Sequence, residues 1–595
     1  MLSPSDLRTR LRPLQPKFEV PQALRALVRA RASGILVLGA LVGALAGLVV
    51  AAMGYAVTLM HQALFGVSPG DRLSALAKLD PMLALSVPTL GGVAFGIALW
   101  ALVRWRPGRE IDPIEANALH GGRMSLLGSF IVALQTVWSS GVGASVGLEA
   151  GYTQLASGVA SHIGRAFRLR RSDMRILVGC GAAGAIAGAF GAPLGGAFYA
   201  FELVIATYSA ASLAPVGVAA VTGYLVASHF EQPSLGIGTL YVSNVHGYDL
   251  AIAALVGIAA AAIGIGLMRG VAACESLMNA LRIRPVLRPT LGGLLVGVMA
   301  TITPEIMSSG HGAIHLSSMF ARPLTAIALL FALKSLASIV SLGTGFRGGL
   351  FFASLLIGAL AGRLFAGIGI ILWPASGLDP HAYSIIGMGA VSVAVIGGPL
   401  TMTFIALETT GDFWLTTAVL IAIIVSAQLT RETFGYSFAT WRFHLRGESI
   451  RSAADIGWIR ELNVRRMMRP DVRTVPAHTT VGRFRVVFPL GSTAYVIAVD
   501  ENKRYSGMIM VAEAHTPELD ESFPVRDILH FPDTALLPTM SVKEAVEIFE
   551  KAEAEALAVI TSFETREVVG LLTEAYALRR YSEELEQRRR ELLQE

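Results

Sequence analysis

Glu149 lies in an apolar, glycine-rich stretch, GVGASVGLEAG over residues 141–151. An ionisable side chain inside a membrane segment is costly to desolvate, so it reads as functional unless it is an interfacial glutamate exposed to water. Its chemistry would follow from its charge. Ionised, the carboxylate competes with an anion for the same N–H donors; protonated or displaced, it leaves those donors free. About 200 residues further on, GTGFRGGLFFA over residues 343–353 repeats the pattern. Gly141-x-Gly143 with Gly147-Leu148-Glu149 pairs with Gly343-x-Gly345 with Gly349-Leu350-Phe351. A half-helix that begins inside a membrane points its free N–H groups at the cavity, and a glycine before it lets the backbone come close, which suits an anion. Gly147 and Gly349 stand at that position. The bland reading of such glycines is close helix packing, and finding the motif in two copies weighs against it.

The duplication extends further. Gly179-x-Gly181-Ala182 leads to Ala192-Pro193-Leu194 and Glu202, and Gly387-x-Gly389-Ala390 leads to Gly398-Pro399-Leu400 and Glu408, with the same proline-to-glutamate spacing. Glu202 and Glu408 read as caps of neighbouring half-helices. Repeated halves with glycine-interrupted segments point to a transporter-type site at the repeat interface near the membrane midplane.

The elements that position these residues must be membrane helices. The chain has 595 residues, 53% hydrophobic and only 15% charged, which excludes a wholly soluble protein. Its net charge, 48 − 43 = +5, is too small for this length to imply nucleic-acid binding. Residues 1–33 form a basic segment that lacks the pattern of a secretory signal. The run from Ile35 to about Met60 is long enough to span hydrocarbon, and its basic flank puts the N-terminus in the cytoplasm. Residues 69–80 would then lie outside, and the run from Met82 to Val103 returns to Arg104, Arg106 and Arg109. Later apolar segments are short and broken, as helices lining a buried polar cavity would be. The expected organisation is a transmembrane domain over 34–440, with halves at about 34–230 and 250–440. A linker follows at 441–461, then a soluble domain at 462–580 and a charged helical tail at 581–595, with the C-terminus cytoplasmic as well.

Cys180 and Cys274 sit in apolar stretches and exclude a disulfide framework or a CxxC site. His311 and His315 are four apart, but Gly310 and Gly312 argue for a loop and no third ligand is apparent, so no metal is expected. The chain carries no Walker A loop, HExxH or nucleophile elbow, and it is not expected to be an enzyme.

Taken in order along residues 33–440, these motifs resemble those of the CLC chloride channels and proton–chloride exchangers. GLEAGYTQ at 147–154 is similar to that family's Gly-Arg-Glu-Gly-Pro motif, with Glu149 as the gating glutamate. GGLFFA at 348–353 is similar to Gly-Gly-x-Phe-x-Pro, with Phe351 as the residue whose N–H faces the central anion. Tyr436, in Phe-Gly-Tyr-Ser, resembles the pore tyrosine, and residues 181–202 are similar to the family's strongest stretch outside the ligand loops. The resemblance implies an all-α polytopic membrane protein with an inverted repeat and re-entrant helices. It also implies a homodimer in the cell membrane with one anion pathway per subunit. That pathway would be formed by Gly147, Leu148, Ala150, Gly349, Leu350, Phe351, Tyr436 and Arg109.

The departures from the family pattern are specific. Arg109 stands where the family has an anion-binding serine, and its planar fork of donors suits an oxyanion such as bicarbonate or nitrate; its bland reading is a basic anchor at a helix end. Arg109 could also pair with Glu110 or Asp112 and leave the pathway. Leu148 and Gly151 replace an arginine and a proline. Leu203 replaces the inner, proton-transferring glutamate, so channel-like conduction without proton coupling is expected, with a coupled exchanger as the alternative.

The soluble domain resembles a CBS-domain pair, a small α/β unit. One half is expected from Met467 to Ile509 and the second from Val525 to Thr573. At the positions where that family holds a nucleotide, this chain has Glu513 in the first half and Thr573 in the second, with Tyr576 replacing an aspartate. A dimerising or structural pair is expected rather than a tight adenine-nucleotide sensor, and no cofactor is required. The rival from another class is a non-transporting membrane sensor whose output is the CBS pair.

Overall fold

The computed structural model describes residues 21, 25, 32–106, 110–230, 245–313, 322–435, 437, 438, 440, 441 and 463–580. Arg109, Tyr436 and His315 lie outside them, as do almost all of the basic N-terminal segment and of the linker, and the whole tail. The chain divides into two compact units at residues 454 and 455.

The first unit is helical. Its first half contains α1 (Ala32–Phe65), α2 (Pro81–Trp105), α3 (Pro113–Leu119), α4 (Leu126–Gly141), α5 (Glu149–Ala166), α6 (Arg171–Phe190), α7 (Pro193–Tyr199) and α8 (Ala210–Phe230). The second contains α9 (Gly247–Ala280), α10 (Arg288–Ala300), α11 (Leu324–Gly343), α12 (Phe351–Leu372), α13 (Pro380–Ile396), α14 (Pro399–Thr410) and α15 (Phe413–Thr433). Among the described residues, eight helices are long and apolar enough to cross a membrane. The repeat read from the motifs is visible in these lengths: α1 and α9, which open the two halves, are both 34 residues long.

Helix starts follow local chemistry. Asp80-Pro81, Asp112-Pro113 and Asp379-Pro380 each open a helix. In each the aspartate side chain accepts from the N–H two residues on, at 2.9, 2.8 and 2.9 Å, and the proline fills the first position, where no donor is needed. Helices α6 and α13 end alike, in left-handed glycines at Gly191 (φ 69) and Gly397 (φ 86), each two residues before the proline that opens the next helix. After Tyr199, α7 widens into a π-helical turn over Ala200–Ile205, which carries Glu202 and Leu203.

The halves interlock through small residues. A side chain at Gly92 of α2 would meet the Pro289 carbonyl oxygen at 2.3 Å, and one at Gly293 of α10 would meet that of Pro88 at 2.0 Å. Close backbone approach of this kind is how membrane helices gain van der Waals contact where lipid offers no hydrophobic drive. Helix α6, rich in Gly and Ala, is the most enclosed of the eight, with α1, α5 and α8 packed around it.

The second unit is a small α/β structure. Its elements are α16 (Val464–Met467), β1 (Thr474–Pro476), α17 (Val481–Val487), β2 (Tyr495–Val499), β3 (Tyr505–Met510), α18 (Val511–Ala514), α19 (Val542–Ala552), β4 (Ala556–Ile560) and β5 (Val568–Thr573). β1 pairs parallel with β2, β2 antiparallel with β3, and β4 antiparallel with β5. The two halves are present as read from the sequence, but their leading segments are exchanged. Val464 and Met467 are buried in the core of the second half with Val542, Phe549 and Leu557, and Arg469 exchanges hydrogen bonds with Leu571 on β5. Val525 is buried in the first half's core with Val481 and Phe484, and His530 exchanges bonds with Met508 on β3. Each leading segment satisfies an edge that the other half would leave unpaired, which locks the halves into one body.

Candidate functional site

The site is built where the two repeats meet. Gly147, in the loop between α4 and α5, donates its N–H to the Gly349 carbonyl at 3.0 Å and accepts from the Gly349 N–H at 3.0 Å, an antiparallel bridge between equivalent residues. Helices α5 and α12 start just beyond it, so both direct their N-terminal donors to one place. The side chain that fills that place is Glu149, which is 4% exposed. Its Oε1 accepts from the Phe352 N–H at 3.1 Å. Its Oε2 is buried and has no hydrogen-bond partner among the described residues. A Cβ on Gly147 would lie 2.1 Å from Oε2 and one on Gly349 2.6 Å from it, so both positions are glycine because the carboxylate occupies the space a side chain would need.

One cavity reaches this carboxylate and a second reaches its neighbour Leu148. One, of about 560 Å³, is lined by Arg106 and Leu102 near the end of α2 and reaches Glu149, Ala150, Gly349, Leu350 and Phe351. Thr153, Tyr199 and Leu203 are also on its wall. The other, of about 100 Å³, is lined by His61, Asp71, Arg72, Ser140, Ser308, Leu148 and Tyr152. Leu148 lines the small cavity and its neighbour Glu149 the large one. Phe190, at the end of α6, closes the apolar side, its ring 4.4 Å from those of both Phe351 and Phe352.

Most of the residues singled out from the sequence converge here: Glu149 with Gly147, Leu148, Ala150, Gly349, Leu350 and Phe351. The N–H that meets the carboxylate belongs to Phe352, one residue past the phenylalanine that the motif points to. Of the acidic residues beside Arg109 in the sequence, Glu110 pairs with Arg106 at 3.6 Å and Asp112 caps α3. Glu202 and Glu408 cap helices across the repeat. Glu202 accepts from the Leu400 and Thr401 N–H groups, both at 2.8 Å, and from the Thr401 hydroxyl at 2.6 Å. Glu408 accepts from Leu194 N–H at 2.8 Å and Gly195 N–H at 2.9 Å. His311 begins a helical segment, where the sequence suggested a loop, and its ring lies against Phe352.

Sequence reasoning passed over Tyr199, Ser145 and Lys334. Tyr199 presents a phenol to the larger cavity with its ring 6.2 Å from that of Phe351. Lys334 had a detectable signal: it is the one charged residue in the twenty of α11. In the second unit, Thr573 ends β5 opposite Ala556, and the Glu513 carboxylate meets the His530 ring.

The voltage-gated chloride channel family model matches residues 93–431, more than half of the chain. The chain belongs to that family. Similar curated proteins include the voltage-gated ClC-type chloride channel ClcB of Salmonella dublin, 29% identical over 401 residues, which cover 67% of this chain and 95% of the relative. ClcB of Escherichia coli O17:K52:H18 is 29% identical over 402 residues with the same shares. Among solved structures, a slow cyanobacterial Cl−/H+ antiporter matches with a TM-score of 0.60 and 20% identity, over 69% of this chain and 97% of that one. A CLC-type fluoride/proton antiporter matches with a TM-score of 0.56 and 19% identity, over 67% and 96%. A eukaryotic CLC transporter matches with a TM-score of 0.58 and 17% identity and covers 93% of this chain and 98% of its own. These structural likenesses are ones of fold.

Proposed function

We propose that the protein passes a small monovalent anion, chloride or a planar oxyanion, through a pathway whose gate is the Glu149 carboxylate. The observation that carries this reading is the carboxylate seated between Gly147 and Gly349 on the Phe352 N–H, on the wall of the larger cavity. An anion entering from the larger cavity meets the same donors, and only one negative charge fits there. Protonation or outward rotation of Glu149 vacates the place. Arg109 and Tyr436 are assigned to the same pathway, where the guanidinium would favour bicarbonate or nitrate over chloride. The subunit is read as half of a homodimer, with both termini on the cytoplasmic side.

We read conduction as uncoupled from protons because Leu203, an apolar residue, holds the wall position where the resemblance calls for a proton-transferring glutamate. The second reading, a proton-coupled exchanger, draws on the antiporters among the similar structures. The test of transport is chloride efflux from liposomes reconstituted with the purified full-length chain, against empty liposomes. Efflux above the empty control supports the reading, and its absence in correctly inserted protein would favour a non-transporting sensor.

A further inference from the structure

The two glycine loops leave α4 and α11 through the same turn. The Ala144 N–H donates to the Ser139 carbonyl at 3.0 Å, and the Phe346 N–H donates to the Ser341 carbonyl at 3.1 Å. Between them Gly143 and Gly345 take left-handed conformations, with φ 87 and 102. All of these residues are equivalent in the register that pairs Gly147 with Gly349.

Each loop is then held by the other repeat. The Ser145 N–H donates to the Ser341 hydroxyl oxygen at 2.9 Å, and the Arg347 N–H donates to the Ser139 hydroxyl oxygen at 3.0 Å. Ser145 and Arg347 are equivalent in the same register, each two residues before its bridged glycine. The serines sit in the last turns of α4 and α11, and both are completely buried. The Ser139 hydroxyl donates its own proton to the Gln135 carbonyl at 2.8 Å, which fixes its oxygen as an acceptor for the opposite loop. A buried backbone N–H that loses its acceptor is costly, so the two loops depend on these hydroxyls. With the Gly147–Gly349 bridge, the crossed pair ties the start of α5 to the start of α12.

We propose that Ser139 and Ser341 are a reciprocal pair of positioning residues that fix the gap between the starts of α5 and α12, and so set the size of anion that the seat of Glu149 admits. The inference rests on the transport reading above and deepens it by naming what determines specificity. Neither serine is among the residues that line the larger cavity, so each acts through the backbone N–H it holds. A gap held rigid favours the ion that fills it, and a gap held loosely accepts a larger one. Because each serine holds the opposite loop, losing either one loosens the same gap.

Chloride and thiocyanate fluxes through the purified full chain in liposomes supply the test, thiocyanate being the larger anion. Ser139→Ala and Ser341→Ala each remove one acceptor, and each should shift the chloride-to-thiocyanate flux ratio toward thiocyanate by at least about threefold. Ser426 is as buried, and its hydroxyl donates to the Ala390 carbonyl at 2.7 Å, away from both loops. Ser426→Ala therefore loses a buried hydrogen bond of the same kind, yet it should leave the ratio within about 1.5-fold of wild type. A ratio unmoved in either loop-serine variant, or moved as far by Ser426→Ala, would make the pair a support of the fold alone and overturn the proposal. If an alanine variant does not fold, Ser139→Cys and Ser341→Cys nearly keep the volume and weaken the acceptor. A shifted ratio in the cysteine variants supports the pair, and an unshifted one overturns it. Wild-type protein that moves chloride while its flux ratio ignores both serines refutes this proposal alone, whereas inserted wild-type protein that moves neither anion refutes the transport reading beneath it.

Discussion

Glu202 and Glu408 each cap the helix that leads to the other: Glu202 binds the first N–H groups of α14, whose later residue Glu408 binds the first N–H groups of α7. This reciprocity gives two of the glutamates of the repeat a complete set of partners. Glu202 accepts three hydrogen bonds and Glu408 two, one to each oxygen. Among the described residues, Glu149 accepts from Phe352 and has a buried oxygen with no hydrogen-bond partner. Under the proposed gating role, a carboxylate with fewer described partners than the two caps is the one of the three that would leave its place at the lowest cost.

The capping pair should therefore behave structurally. Glu202→Gln or Glu408→Gln removes a charge from a helix N-terminus and weakens its hydrogen bonds, a loss of roughly 1–3 kcal/mol each. Thermal unfolding in detergent should show a lower midpoint for either variant. An unchanged midpoint in both would mean that the caps contribute nothing to stability.

The two glycines beside the carboxylate should tolerate nothing larger. In Gly349→Ala the new methyl would lie 2.6 Å from Glu149 Oε2, and in Gly147→Ala 2.1 Å. That volume is also the space an anion must enter, so chloride flux per reconstituted protein should fall at least about tenfold, the scale of a core overpacking cost of 1–3 kcal/mol. Wild-type flux in a folded Gly147→Ala protein would place the anion elsewhere.

How far the sequence reached depends on what each feature rests on. The repeat and the glutamate caps rest on local chemistry, so Gly-x-Gly spacing and the equal proline-to-glutamate distances were legible. The run from Ile35 to about Met60 grew only at its ends, to Ala32–Phe65. What was missed rests on the third dimension. Which of two adjacent phenylalanines aims its N–H at Glu149 depends on the turn of α12, and the exchange of leading segments in the second unit depends on an edge that chain order does not reveal. Lys334 stands out as the one charged residue of α11, but its three acceptors come from two distant loops that chain order does not bring together.

Proton coupling has a direct expectation. Leu203 cannot carry a proton, so a chloride gradient across liposomes, with the membrane potential clamped by an ionophore, should drive little uphill proton movement. A stoichiometric proton flux reported by a pH dye would contradict uncoupled conduction and turn attention to Tyr199, which lines the same cavity.

The most direct measurement of the gate compares chloride flux in wild type and Glu149→Gln as external pH is lowered. Protonation removes the charge that competes for the Phe352 N–H, so wild-type flux should rise as pH falls. The Gln variant keeps the size and lacks the charge, so it should start at the raised level and show a flat pH profile. A folded, reconstituted Gln variant with wild-type flux and wild-type pH dependence would contradict the assignment of Glu149 as the gate.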